Sequence, residues 1–229
     1  MLILALETST DLGSCALWRD GAVLERRCPP GRSHSETLLP LIRELLAEAG
    51  TSVAALDAIA FGAGPGAFTG LRVACGAAQG LAVATDRPLI PVISLAAMAV
   101  QAGEGEVLAL LDARMGEIYA AAYRVTAADC QLQGEIRVLA PADLSLPGAA
   151  GWRACGNAPA AYPLLLERLR AAGIEYLPGI LPTAAAVAAL AAPRAARGEG
   201  IDAALAAPLY IRDKVAKTVA ERLNEGGRA

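Results

Sequence analysis

The sequence predicts an α/β protein built as two related halves, each a mixed sheet with helices packed on it. Three observations carry this. Residues 1–103 alternate apolar runs and helical stripes in the order strand-strand-strand-helix-strand-helix-strand-helix. The glycine-rich stretch "AGEGE" then interrupts the chain. Beyond it, "VLALLDARMGEIYAAAYRV" echoes "ILALETSTDLGSCALWRDG" near the start, as an imperfect internal repeat would. The division expected is a first lobe over 1–103 and a second, reduced lobe over 104–207. A terminal helix over 208–223 is expected to return to the first lobe.

Each element has a local reason. "LILALETS" is almost wholly apolar, as a strand buried on both faces should be. In "SCALWRDGAVLER" the pair Asp20-Gly21 separates two apolar runs, the strongest short hairpin signal. Ser33 and Glu36 have capping-box spacing, Leu38, Leu41, Ile42, Leu45 and Ala49 form a helical stripe, and Gly50 sits where a helix should end. Pro40 inside that stripe predicts a kink or a late start. "LDAIAF" reads as a strand, Thr69 to Ala84 as a helix, "PLIPVIS" as a strand and Leu95 to Gln101 as a helix. After the repeat, segments such as "APADLSLPGAAG" are broken by proline and glycine, so the second half reads as a reduced copy.

Composition narrows the function classes. The net charge of −3 gives no support to non-specific nucleic-acid binding. Cys15, Cys28, Cys75, Cys130 and Cys155 are scattered, odd in number and without a C-x-x-C pair, which speaks against a disulfide framework or a cysteine zinc site. No apolar run reaches the roughly 18 residues of a spanning helix, and "MLILALETST" lacks a basic leader region. The expectation is a cytoplasmic protein that makes no use of a membrane.

The glycine-rich stretch "FGAGPGAFTGLRVACGAAQGL" raises the question of phosphate binding. No Lys follows its glycines as a P-loop requires. Gly62, Gly64 and Ala67 do fit the dinucleotide pattern, with Asp86 about 20 residues on, but Asp86 precedes the next strand instead of closing it. Two readings remain: an anion site at a helix N-terminus, or a turn whose glycines let backbones approach. Gly70, Ala74, Ala77, Ala78 and Gly80 then give the helix a thin face. That face is either buried within the chain or a contact between subunits.

Several stretches in this order, "LALETST", "RSHSETLLPLI", "LDAIAFGAGPGAFTGLRVACGAAQGLA", "VISLAAMA", "LLDARMGEIYAAAY" and the late "PLYIR" ending at Arg212, together resemble the TsaB family. These are dimerisation subunits of the bacterial machinery that makes N6-threonylcarbamoyladenosine at position 37 of tRNAs reading ANN codons. The resemblance implies an actin-like, sugar-kinase-like (ASKHA) fold of two related lobes. It also implies a non-catalytic scaffold that pairs with the transferase TsaD through helices of its first lobe. TsaE completes the assembly, tRNA is engaged indirectly through it, and the chain alone forms a homodimer. The interface residues expected are Leu38, Leu41, Leu45, Gly70, Leu71, Arg72, Ala74, Ala77, Ala78 and Leu81.

The residues bear on whether this chain could do chemistry alone. Catalytic relatives hold a metal with two histidines one helical turn apart, and this chain has a single histidine, His34, near a helix start. Actin-like kinases use a compact Asp-x-Gly turn. Here Glu7 is followed by "TSTDLG", and in "LDARMG" Asp112 and Gly116 stand too far apart. Glu7, Asp11, Gly64 and Gly66 are the weak candidates for a nucleotide, so no cofactor is expected on the chain alone, with ATP and Mg²⁺ placed at the assembled complex. The alternative is a nucleotide-binding phosphotransferase of the same fold resting on Asp11, Asp112 and the glycine loop. A peptidase is less favoured, since no G-x-S-x-G elbow exists.

Overall fold

The computed structural model describes residues 1–212. The first half supplies β1 (Leu2–Glu7), β2 (Ser14–Arg19), β3 (Ala22–Arg27), α1 (His34–Glu48), β4 (Ala58–Gly64), α2 (Phe68–Thr85), β5 (Leu89–Ile93) and α3 (Ser94–Gln101). The second supplies β6 (Gly105–Arg114), β7 (Glu117–Val125), β8 (Cys130–Leu139), β9 (Trp152–Cys155), α4 (Ala158–Ala161), α5 (Pro163–Ala171), β10 (Glu175–Leu177) and α6 (Ala184–Ala196).

Two five-stranded sheets result, ordered β3-β2-β1-β4-β5 and β8-β7-β6-β9-β10. Each has two antiparallel ladders followed by two parallel ones, so the second sheet repeats the topology of the first strand for strand. The reduction of the second half lies in its helices. The crossover helix that α1 provides before β4 is replaced before β9 by a single short turn, Pro141–Asp143. Where α2 has 18 residues, α4 and α5 have 4 and 9.

The central strands show why both faces must be apolar. In β1, Leu2, Leu4 and Leu6 enter the core under α1 and α2, while Ile3 and Ala5 enter the one under α6. In β6, Val107, Ala109 and Leu111 face α3, whereas Leu108 and Leu110 face α4 and α5. This is the period-two alternation of a strand sandwiched between helical layers. The last helix of each half is exchanged. α3 packs Leu95, Met98 and Ala99 on the second sheet, and α6 packs Val187, Ala188 and Ala191 on the first. A boundary at residue 104 therefore follows the repeat, but the 104–207 segment contributes one whole helical layer to the other lobe.

Turns and caps are mostly as the residues require. Asp20 (φ 49°) and Gly21 (φ 94°) both adopt left-handed backbone, the two-residue turn that joins twisted strands without splaying them. α1 ends with Thr51 N–H donating to Leu46 O and Gly50 N–H to Ala47 O, Gly50 being left-handed. Its start departs from expectation. Ser33 makes no capping bond, because its hydroxyl meets that of Ser35 at 2.7 Å. Thr37 Oγ1 donates to Ser33 O instead, and the helix runs from His34 through Pro40 with no late start. Residues 208–212 are not helical; the rest of the expected 208–223 helix lies outside the described residues.

Candidate functional site

The two lobes face each other across a cleft built from equivalent loops. The β1–β2 loop (residues 8–13) comes from the first lobe, and the tight β6–β7 turn (residues 115–116) with the end of β6 comes from the second. The β4–α2 turn and the segment 209–212 close one side.

Asp112 is the best-held side chain there. Its Oδ1 accepts from Tyr162 Oη at 2.9 Å and from Arg114 N–H at 2.9 Å, and its own N–H donates to Asn157 Oδ1 at 2.8 Å. Arg114, in left-handed backbone at φ 61°, reaches across the cleft to Asp11 Oδ2 at 3.3 Å and also lies 3.7 Å from Asp112. One guanidinium thus serves an acid from each lobe. The space left among Ser9, Asp11, Gly66, Asp112 and Asn157 is about 60 Å³, against the few hundred that a nucleotide-sized ligand needs.

Glu7 is not in this cleft. It is fully buried, accepting from Ser9 N–H at 2.5 Å and Ser94 Oγ at 2.9 Å. Burial raises its pKa, opposed only in part by the Ser9 and Ser94 hydrogen bonds. A Cβ on Gly62 would overlap the Glu7 carboxylate. His34 is half-buried; its Nε2 lies 2.9 Å from Thr10 O and its ring packs on Gly13, so it braces the β1–β2 loop from the start of α1. Among the described residues, no group of three metal-binding side chains comes together.

The glycine loop brings backbones together. A Cβ at Gly66 would overlap Ser9 O, and one at Gly70 would overlap Thr8 O. Gly64 takes φ 109° and its neighbour Ala63 accepts from Leu209 N–H at 2.7 Å. Asp86 ends α2, about 27 Å from the loop at 1.5 Å per residue, and cannot share a dinucleotide with it.

The expected interface residues separate sharply. Leu38, Leu45, Ala74 and Ala78 are buried in the first core, Leu71 is buried beside Gly64 on the wall of a pocket next to the 209–212 segment, and Gly70 is buried against the end of β1. Leu38, Leu45, Gly70, Ala74 and Ala78 are turned into the chain's own interior in this conformation. Leu41, Ala77 and Leu81 are partly buried at the edge of that core, while Arg72 is exposed. The thin face is thus an internal contact with the sheet. The outward ridge of α2 carries Arg72, Gly76, Gly80 and Val83 instead, with open space around both glycines.

Two features were not legible beforehand. Arg114 bridges the cleft to Asp11, and Tyr210 packs beside Phe68, with ring centroids 5.5 Å apart. Their partners lie about 100 residues or more away in sequence, so no local pattern marks them.

Comparisons with known proteins agree with this architecture. Residues 30–155 match the family model described as "TsaD: tRNA N6-adenosine threonylcarbamoyltransferase". The tRNA threonylcarbamoyladenosine biosynthesis protein TsaB of Escherichia coli is 35% identical, over 94% of this chain and 96% of its own. The TsaB of Haemophilus influenzae is 46% identical over 52% of each. YeaZ from Pseudomonas aeruginosa superposes with a TM-score of 0.83 at 40% identity, covering 91% of this chain and 99% of that one. With that similarity running over nearly the whole length of both chains, this chain belongs to the TsaB family.

Proposed function

We propose that this chain is a non-catalytic scaffold partner of the transferase TsaD, acting in formation of N6-threonylcarbamoyladenosine at position 37 of tRNAs reading ANN codons. The observation that carries the reading is the outer ridge of α2. Gly76 and Gly80 stand one turn apart on a solvent-facing helix, beside Val83, which is 75% exposed. Each glycine inside a helix costs about 1 kcal/mol relative to Ala. A ridge this low admits another helix at close range, with backbone contacts that an alanine would block. The proposed interface is Arg72, Gly76, Gly80 and Val83, whose exposure on the outer side of α2 supports it, with Leu41, Ala77 and Leu81 at its margin.

The cleft supports the non-catalytic part of the reading. Arg114 stands between Asp11 and Asp112, at 3.3 Å and 3.7 Å, Glu7 is turned inward, and one histidine cannot form a two-histidine metal site. Any ATP and Mg²⁺ belong to the assembled complex with TsaD and TsaE, in the cytoplasm. The free chain pairs with itself through the same ridge, so TsaD competes with the homodimer.

The test is a drop-out reconstitution of tRNA modification with TsaD, TsaE and the adenylate-forming enzyme. Modification that requires this chain, with none from the chain alone, supports the scaffold. Full modification without it removes the reading, and saturable Mg·ATP binding to the isolated chain would favour the phosphotransferase alternative.

A further inference from the structure

On the face of the first sheet opposite α2, a groove of about 1180 Å³ runs between α6, α3 and the β7–β8 loop. Val92, Val125 and Ala192 are the buried part of its lining, and Trp18, Ala96, Val100 and Leu190 are half-buried along it. These side chains come from both halves because the last helices are exchanged, α6 onto the first sheet and α3 onto the second. The groove is larger than the roughly 300–1,000 Å³ of sites that enclose a small molecule. Its lining follows α6 from Ala189 to Arg197, about 12 Å at 1.5 Å per residue. That length matches the i, i+3, i+4, i+7 stripe of a helix laid into an apolar groove.

The charges along the groove are sorted by side. Arg194 and Arg197 stand on the rim that α6 supplies, and Glu104 and Asp129 stand on the rim supplied by the second half. Glu199, outside the lining, is the carboxylate that both arginines share, so a positive charge remains on their rim. Arg194 is held in place as its Nη1 donates to Pro91 O at 2.6 Å, while Arg197 is exposed. Across the groove, Asp129 accepts from Cys130 N–H at 2.8 Å and from Gln131 Nε2 at 3.0 Å. Neither Asp129 nor Glu104 forms a salt bridge among the described residues. One rim is thus basic, the other acidic, and the floor between them apolar.

We propose that this groove docks an amphipathic helix of a partner protein, one whose apolar stripe runs between an acidic edge and a basic edge. The stripe covers Trp18, Val100 and Leu190, the acidic edge faces Arg197, and the basic edge faces Glu104 and Asp129. A helix of one charge on both edges meets a like charge at one rim. An RNA strand or an anionic membrane meets the acidic rim in the same way and leaves the apolar floor without a match. The docked helix touches both lobes beside Ile93, where β5 passes directly into α3, and so braces one lobe against the other. The proposal is independent of the scaffold reading, whose ridge on α2 lies on the other face of the first sheet.

The test uses the full chain and a fluorescein-labelled peptide of about 15 residues, followed by fluorescence anisotropy. The peptide carries leucine at i, i+3, i+4 and i+7, glutamate along one edge of that stripe and lysine along the other; two controls carry glutamate on both edges or lysine on both. Ala189 and Leu132 are exposed in the lining, so Ala189→Glu and Leu132→Glu charge the groove at the surface, and circular-dichroism melting checks that each folds. Saturable binding of the mixed peptide is expected, tighter than that of either control and weakened about tenfold or more by each variant. Arg197→Gln should narrow the preference over the all-lysine control, and Glu104→Gln that over the all-glutamate control. No saturable binding of the mixed peptide overturns the proposal, as does binding unchanged in both Ala189→Glu and Leu132→Glu, or equal binding of all three peptides. A dimer in sedimentation that Ala189→Glu dissolves gives the groove to a second copy, and displacement of the probe by a peptide of residues 213–229 gives it to the chain's own tail; either overturns the partner helix. Co-elution of TsaD with Ala189→Glu is expected to be unchanged, so failure here and failure of the scaffold reading are told apart.

Discussion

Thr8 and Gly70 interlock: Thr8 Oγ1 donates to the Gly70 carbonyl at 2.7 Å, and a Cβ on Gly70 would overlap the Thr8 carbonyl oxygen. The obstacle is backbone at the end of β1, which cannot rotate aside. Gly70→Ala should therefore destabilise the fold by about 2 kcal/mol or more. Thermal unfolding would show this as a Tm lower by roughly 4–8 °C. An unchanged Tm would mean that β1 and α2 separate more readily than this contact implies.

The exposed glycines of the same helix carry the opposite expectation. Gly76 and Gly80 have open space around them, so Gly76→Ala and Gly80→Ala should each stabilise the isolated chain by about 0.5–1 kcal/mol. Gly80→Glu should leave the fold intact yet abolish co-elution with TsaD. Retained pairing in Gly80→Glu would remove the ridge from the interface.

Ala74 and Ala78 are fully buried, and a carboxylate at either has neither water nor a counter-ion. Ala74→Glu and Ala78→Glu should lose cooperative unfolding altogether instead of selectively losing a partner, a cost of several kcal/mol. Circular dichroism separates the two outcomes directly. A folded but unpaired variant would return these residues to the interface.

Arg212 ties the 209–212 segment to the β6–β7 turn. It donates to Ala113 O at 3.1 Å and pairs with Glu117, with a side chain only 16% exposed. Arg212→Ala should cost about 2 kcal/mol, because it strands partly buried acceptors. Arg212→Lys should recover part of this, since a single ammonium replaces a fork of donors. Chemical denaturation of the three chains measures both differences.

How far the residues disclosed the fold depends on how local the cause is. Asp20-Gly21 sets its turn with two dihedral angles, and the expected span of α2 lies within one residue of the observed one at each end, because the small-residue run is bracketed by a strand turn and Asp86. β8 carries no apolar signal because it is an edge strand whose polar Gln131, Gln133, Glu135 and Arg137 face water, with left-handed Gly134 among them. The exchange of α3 and α6 was hidden as well, since an apolar stripe does not say which sheet covers it. Small residues on α2 misled in the same way. Gly70, Ala74 and Ala78 face the chain's own sheet, while Gly76 and Gly80, about a third of a turn away, face solvent. Periodicity identifies a face, and only tertiary packing decides whether that face is already taken.

Glu7 gives the protein a pH dependence of definite sign. In the unfolded chain its carboxyl ionises near its ordinary value of 4.5, whereas in the fold desolvation raises the pKa above that. The folded state therefore binds more protons than the unfolded state between the two values. Stability from this group is complete below about pH 4.5 and declines as pH rises through the raised pKa, at up to about 1.4 kcal/mol per pH unit. Glu7→Gln removes the titration and keeps an oxygen acceptor for Ser9 N–H. Its amide can donate to Ser94 Oγ, the atom that donates to Glu7 at 2.9 Å. The Tm of Glu7→Gln minus that of the native chain should therefore grow with pH from about 4.5 upward and level off above the raised pKa. A difference that stays flat with pH would place the Glu7 pKa at its ordinary value despite its burial.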